Sequence, residues 1–275
     1  MKNMIKKIIF AVVLLAFASC SRAVFYSNRA YSYNNKGDWD RAIDDSTKAI
    51  QLDQNLAVAY NNRGTAYLNK GDWGRAIDDF SQAIQLEPNA IGYYNRSLAY
   101  AAKGDWDRAI DDFSQGIQLE PNAIGYYYRS LAYTEKGDYD SAIDDLNQAI
   151  RLDPNYAIAY SNRGNAYINK GDYDRAIADC TQAIRLDQNL VVAYNNRGFA
   201  YNNKGDYDRA IDDLTQAIRL DPNFENPYRH RAFAYMQKGN FTQARADVER
   251  ALQINPNYQN AQVLLEELNN LQLLP

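Results

Sequence analysis

The chain is poor in the residue types that carry catalysis. Among its 275 residues there is one histidine, His230, and there are two cysteines, Cys20 and Cys180, 160 positions apart. That spacing gives neither a disulfide framework nor a zinc-ligand motif. No glycine-rich nucleotide loop and no metal-ligand cluster occurs, so no cofactor, metal or enzymatic activity is expected. Basic charge is also short. Without Lys2, Lys6 and Lys7, which belong to an N-terminal segment with the marks of removal, 27 Lys and Arg residues face 34 Asp and Glu. Such a balance provides no basic footprint for a phosphate backbone, and nucleic acid is not an expected partner. The apolar run Ile8 to Ala18 has 11 residues, short of the ~20 that cross a bilayer.

That run follows three lysines, the arrangement of a signal peptide over residues 1–19. Phe17-Ala18-Ser19-Cys20 resembles the lipobox of bacterial lipoproteins, with phenylalanine where that family most often has leucine. The resemblance implies lipidation of Cys20 and a chain held in the bacterial cell envelope, periplasmic or outer-membrane facing, by acyl chains at ~0.8 kcal/mol per buried methylene. Ala16-Phe17-Ala18 also fits cleavage after Ala18, which would release a soluble secreted form.

What the chain has in abundance is tyrosine, 23 residues of it, and a period. Lys-Gly-Asp or Lys-Gly-Asn begins at Lys36, Lys70, Lys103, Lys136, Lys170, Lys204 and Lys238, at intervals of 33 or 34 residues. A period of that size means stacked repeats. With the glycine numbered 15, the sixth copy begins at Val191. Small or apolar residues then fall at positions 4, 8 and 11 (Tyr194, Gly198, Tyr201) and at 20, 24 and 27 (Ala210, Leu214, Ala217). Both triplets have the i, i+4, i+7 spacing of an amphipathic helix. Gly205 suits the left-handed turn between them, Asp206 the cap of the second helix, and Pro222 its stop. Position 20 is alanine in every copy and position 8 is Gly, Ala or Ser, so the two backbones can approach closely.

These residues resemble the tetratricopeptide repeat (TPR), carried in copy two as Tyr60, Gly64, Tyr67, Ala76, Phe80 and Pro88. The resemblance implies an all-α fold, a right-handed alpha-alpha superhelix (solenoid) of seven units. Their spans are 23–56, 57–89, 90–122, 123–156, 157–190, 191–224 and 225–258, and residues 259–275 are expected as a capping helix.

Position 7 departs from that family, where leucine is common. It is arginine in every copy, and position 23 is the one acidic place filled in all seven. A half-buried cation left alone costs several kcal/mol, and seven would exceed the ~5–15 kcal/mol net stability of a domain. A structural ladder is therefore expected, with Arg63 and Asp79 in copy two and Arg197 and Asp213 in copy six among its members, within a copy or across the stack. An anion-binding stripe is the alternative.

By the same resemblance, ligands lie on the concave face, formed by first-helix positions 2, 5, 6, 9, 12 and 13. Position 6 carries Asn28, Asn62, Asn95, Tyr128, Asn162, Asn196 and His230, with His230 expected at the groove rim. Position 9 offers Tyr31, Phe199 and Phe233 as pocket walls. Asparagine amides both donate and accept, so a row of them can hold an extended peptide backbone. The bland alternative is a hydrophilic filler in a recently duplicated repeat. Chaperone-binding repeats share the Asn-Arg pair, but their clamp needs cations at positions 2 and 6 that are missing here. Cys180 takes a place filled elsewhere by Phe80 and Leu214, which marks it as core. The function expected is a non-catalytic interaction scaffold, membrane-attached through its N-terminal lipid, for a protein or peptide of unknown identity. A self-associating structural array and a soluble secreted or cytosolic scaffold are the other readings.

Overall fold

The computed structural model describes residues 21–272. Cys20 and the segment expected as a signal peptide lie outside the described residues. Those described form fifteen α-helices and no strand: α1 over 21–35, then α2 (Trp39–Leu52), α3 (Ala57–Asn69), α4 (Trp73–Leu86), α5 (Ala90–Ala102), α6 (Trp106–Leu119), α7 (Ala123–Glu135), α8 (Tyr139–Leu152), α9 (Ala157–Asn169), α10 (Tyr173–Leu186), α11 (Val191–Asn203), α12 (Tyr207–Leu220), α13 (Glu225–Gln237), α14 (Phe241–Ile254) and α15 (Gln259–Gln272). They fall into two compact halves that divide at the Lys136–Gly137 turn. No described helix is long and apolar enough to cross a membrane.

Each copy is a helical hairpin made by its own sequence. Gly205 takes φ of 76°, in the left-handed region that glycine enters without a Cβ penalty, and this ends α11. Asp206 follows with its side chain accepting from the Arg209 backbone N–H at 3.2 Å, which caps α12. The last copy has Asn240 at that place, without a side-chain capping bond. Where copies three and four begin one residue early, the helix start is capped instead by asparagine. Asn89 accepts from Gly92 N–H at 2.9 Å and Asn122 from Gly125 N–H at 2.7 Å. Leu56, Tyr156 and Leu190 stand at the longer junctions without a side-chain cap.

Alanine sets the spacing inside each hairpin. Ala42, Ala76 and Ala109 in the N-terminal half, and Ala142, Ala176, Ala210 and Ala244 in the C-terminal half, are fully buried. Position 24 fills the gap beside them. In copies two and six it holds Phe80 and Leu214, both fully buried, each worth about 1.5–3 kcal/mol in removal from water. A Cβ on Gly64 or Gly198 would come within 2.7 Å of those side chains, which is why position 8 stays small. At the C-terminal end, Ala261, Leu264 and Leu268 of α15 join Tyr228, Ala232, Ala244, Val248 and Ala251 in one core.

Candidate functional site

In each half the position-7 arginine ties one first helix to two second helices. Arg197 on α11 donates from Nε and Nη2 to the two carboxylate oxygens of Asp213 on α12, both at 2.7 Å. Its Nη1 donates at 3.0 Å to Thr181 Oγ1 on α10, the second helix of the preceding copy. Arg63 forks onto Asp79 at 2.8 Å twice and reaches Thr47 Oγ1 at 3.3 Å. Arg96 repeats the arrangement with Asp112 and Ser81, Arg163 with Asp179 and Asn147, and Arg231 with Asp247 and Thr215. Arg29 forks onto Asp45, and Arg129 donates to Ser114 Oγ at 2.8 Å. The hydrogen bonds that Arg63 donates to Asp79 hold its guanidinium above its ordinary pKa against the opposing pull of burial. The same fork from Arg29 holds the Asp45 carboxyl below the usual carboxylate range. A guanidinium gripped on both edges is part of the scaffold.

The third partner, at position 25, escaped sequence reasoning although its signal was present. The position is Thr47, Ser81, Ser114, Asn147, Thr181 and Thr215 in six copies and an exposed Glu249 in the seventh. The terminal helix that follows has Leu265 where an arginine would stand, so no hydroxyl is needed below it.

The first helices enclose a cleft in each half. The N-terminal cleft, about 400 Å³, lies over α1, α3 and α5 and is lined by Tyr31, Asn35, Val58, Asn62, Ile91 and Asn95 among others. Tyr31, Val58 and Ile91 are 61%, 48% and 64% exposed, large values for apolar side chains with a concave wall to pack on. The C-terminal cleft, also about 400 Å³, lies over α9, α11 and α13. Its lining includes Asn162, Asn165, Asn169, Asn196, Phe199 and Arg229.

The expected groove residues divide accordingly. Tyr31, Asn62 and Asn95 come together in the first cleft, and Asn162, Asn196, Phe199 and His230 in the second. Asn28 is exposed on α1 and lies outside the N-terminal cleft. Tyr128 also lies outside it and stacks on Phe113, with ring centroids 6.2 Å apart. Phe233 packs against the terminal hydrophobic core and is not among the residues lining the C-terminal cleft.

Two residues differ in role from what was expected. Asn62 is buried, and its amide donates to the Ser27 carbonyl at 2.9 Å, while Asn34 donates to the carbonyl of Asn62 at 2.8 Å. Its donors stitch α1 to α3 and are not offered to a ligand. His230 is not a rim side chain. It is 7% exposed, and burial followed by the nearby Arg229 charge pushes its pKa well below the ordinary histidine value. The neutral ring donates from Nδ1 to Asn195 Oδ1 at 2.9 Å, which leaves Nε2 as the acceptor facing the Arg229 guanidinium. Position 6 points partly toward the preceding first helix, so its polar atoms serve the stack before they serve the groove.

Models of one repeat type match along the chain. Models described as tetratricopeptide repeat match residues 57–89, 90–123, 157–190, 191–224 and 226–258, and one described as TPR repeat matches 30–71 and 131–171. The chain belongs to the tetratricopeptide-repeat family. Its structure is similar to a TPR protein from Parabacteroides merdae, with a TM-score of 0.71 at 19% identity over 91% of this chain and 100% of that one. It is similar at TM-score 0.71 and 23% identity to a chain of the APC/C hetero-tetramer Cut9-Hcn1, covering 88% of this chain and 48% of that chain. It is similar also to YrrB, described as a TPR protein with an unusual peptide-binding site, at TM-score 0.56 and 23% identity over 66% of this chain and 95% of that one. At these identities the likeness establishes the TPR solenoid fold. No curated protein sequence matches the chain. TPR proteins are generally non-catalytic scaffolds for protein–protein interaction.

Proposed function

We propose that the chain is a non-catalytic adaptor that holds an extended protein segment in the clefts of its first helices. The observation that carries this reading is the contrast between the faces of the repeat. The charged groups of the second helices and turns are largely paired within the protein, as in the Arg–Asp forks and the Lys204–Asp174 link between successive turns. The clefts instead present amide side chains beside exposed apolar ones, such as Asn95 beside Ile91. Amides match the alternating donors and acceptors of a peptide backbone, and the apolar residues give alternate side chains a place to settle. YrrB, similar in fold, is described as having a peptide-binding site, which accords with this use of the scaffold. The same proposal places the chain in a bacterial cell envelope, anchored by lipid on Cys20.

Two experiments test it. Crosslinked capture from intact cells compares the wild type with Asn162/Asn196→Ala and with Val58→Glu/Ile91→Glu. Recovery of the same partners at the same level by both variants rules out the clefts as the site. Labelling with radioactive palmitate should mark the wild type and not Cys20→Ala, and an unlabelled wild type removes the anchor from the account.

A further inference from the structure

The first copy departs from its siblings at position 3 of its first helix. In copies two to seven that position is Ala59, Gly92, Gly125, Ala159, Ala193 and Pro227, and all are buried. It stays small because it faces the second helix of the preceding copy: a Cβ on Gly92 would stand 2.9 Å from Ile84 on α4. In copy one the position holds Phe25, and residues 1–22 contain no repeat for it to pack on. Phe25 is 57% exposed and Val24 beside it 42%. Arg29 is open as well. Arg63 spends a third donor on the preceding copy and its side chain is 20% exposed, whereas that of Arg29 is 40% exposed. The Arg29 guanidinium carbon lies over the Phe25 and Tyr26 rings, 5.3 and 5.2 Å from their centroids. Lys48 of α2 stands 5.7 Å from the Tyr26 centroid, and Arg22 is exposed at the start of α1, a helix without a carboxylate. Asp45, which answers both Arg29 and Lys48, is buried and presents no charge to the surface.

We infer that this open side of copy one, with Phe25 at its centre and Arg22, Arg29 and Lys48 around it, is a contact surface for an anionic lipid bilayer. The inference rests on the lipid-anchor reading above and gives that anchor a second footing. Phe25 comes five positions after Cys20, a span of at most about 18 Å even when fully extended. Acyl chains on Cys20 therefore hold Phe25 within reach of the headgroups, and the tether makes a weak contact intramolecular. An aromatic ring beside long cationic side chains suits a membrane interface. The ring enters the boundary of the acyl region while the cations stay among the phosphates. A second copy of this chain is the competing occupant of an open stack end, but it must fit where the bilayer already holds Cys20. Lipid alone tethers the first copy, whereas the patch also orients it.

The test uses the full chain expressed in bacterial cells, purified in detergent and returned to vesicles. Trp39, Trp73 and Trp106 are changed to tyrosine, the residue that copies four to six carry at that position as Tyr139, Tyr173 and Tyr207. Phe25→Trp then supplies a single reporter, and a protein keeping only Trp106 is the control; circular dichroism checks the fold of both. The vesicles contain phosphatidylglycerol and phosphatidylcholine brominated near the headgroup end of the chains. Interfacial side chains reach about 5–10 Å into this region, so the Phe25→Trp reporter should lose about half its emission or more, and Trp106 almost none. Without phosphatidylglycerol, or with Arg22→Glu/Lys48→Glu added, the quenching should fall by about half. Intact mass of the same preparation shows whether Cys20 is acylated. With Cys20 acylated, an unquenched reporter, equal quenching of Trp106, or quenching indifferent to anionic lipid overturns the inference and leaves the anchor standing. A reporter shielded from brominated lipid, with emission that shifts as protein concentration rises, gives the stack end to a second copy and overturns it too. An unacylated Cys20 fails the anchor reading itself, and the patch falls with it.

Discussion

Replacing Asp213 by alanine removes both carboxylate oxygens that grip Arg197 and leaves the guanidinium with Thr181 alone. The side chains of this pair are 17% and 10% exposed, so the cation cannot simply swing into water. Breaking a fully buried pair costs about 3–5 kcal/mol, and the partial exposure here lets solvent recover some of that, giving about 2–4 kcal/mol. Asp212 next to it is exposed, so Asp212→Ala serves as the control, with an expected change of no more than ~0.5 kcal/mol. Urea unfolding followed by far-ultraviolet circular dichroism gives the global loss. Copies touch only their neighbours, so amide exchange in α11 and α12 should rise more than elsewhere. An apolar replacement of the pair, Arg197→Met with Asp213→Leu, should recover most of the stability because no charge is then stranded. If Asp213→Ala behaves like Asp212→Ala, the ladder does not hold the hairpins together.

Three further outcomes follow from particular contacts. Gly164→Ala places a Cβ 2.7 Å from Cys180 Sγ and should destabilise, because overpacking at about 1–3 kcal/mol exceeds the ~1 kcal/mol gained in helix propensity; in a Cys180→Ala background the same change should become less costly or favourable, and an unchanged effect would show that the contact does not matter. His230 has a folded pKa below its unfolded value, so its contribution is complete above the unfolded value of about 6.5 and is lost as pH falls below it. Between pH 7.5 and 5.5 the wild type should therefore lose about 1 kcal/mol more than His230→Gln in urea melts, and equal losses in the two proteins would place a charged imidazole in the fold. Arg63→Lys keeps the charge on Asp79 but loses the fork and the reach to Thr47, so thermal unfolding should show a loss of about 1 kcal/mol, and wild-type stability would mean the geometry of the fork is idle.

The repeat, its two helices and its turn were open to sequence reasoning because each rests on local chemistry repeated seven times. Gly205 needs a left-handed turn, Asp206 needs an N-terminal amide to cap, and Ala210 needs a close neighbour, whatever else the protein does. The arginine at position 7 was visible as a charge that had to be answered. Its second answer, a hydroxyl or amide from the preceding copy, depends on how one hairpin rests on the next, and a single helix period carries no such information. The asparagines show the same limit more sharply. Asn62 and Asn196 occupy one position of the repeat, yet Asn62 is buried between α1 and α3 while Asn196 is half-exposed in a cleft. Both amides reach back to the serine of the preceding copy, but Asn62 closes on the Ser27 carbonyl and hydroxyl at 2.9 and 3.1 Å, whereas Asn196 stands 3.5 Å from the Ser161 carbonyl. His230 likewise reads in the sequence as a lone polar residue between two arginines, and only its enclosure by Asn195, Phe199 and Arg229 makes it neutral and structural.

The most direct test of the central claim is photo-crosslinking in intact cells with benzoylphenylalanine placed at one position at a time. Ile91 and Asn165 put the probe in the two clefts, while Asp111 and Asp144 put it on exposed second-helix surface. The account predicts discrete protein adducts from the cleft positions and none of comparable yield from the second helices. Adducts of equal yield from Asp111 and Asp144, or from those positions alone, would contradict it.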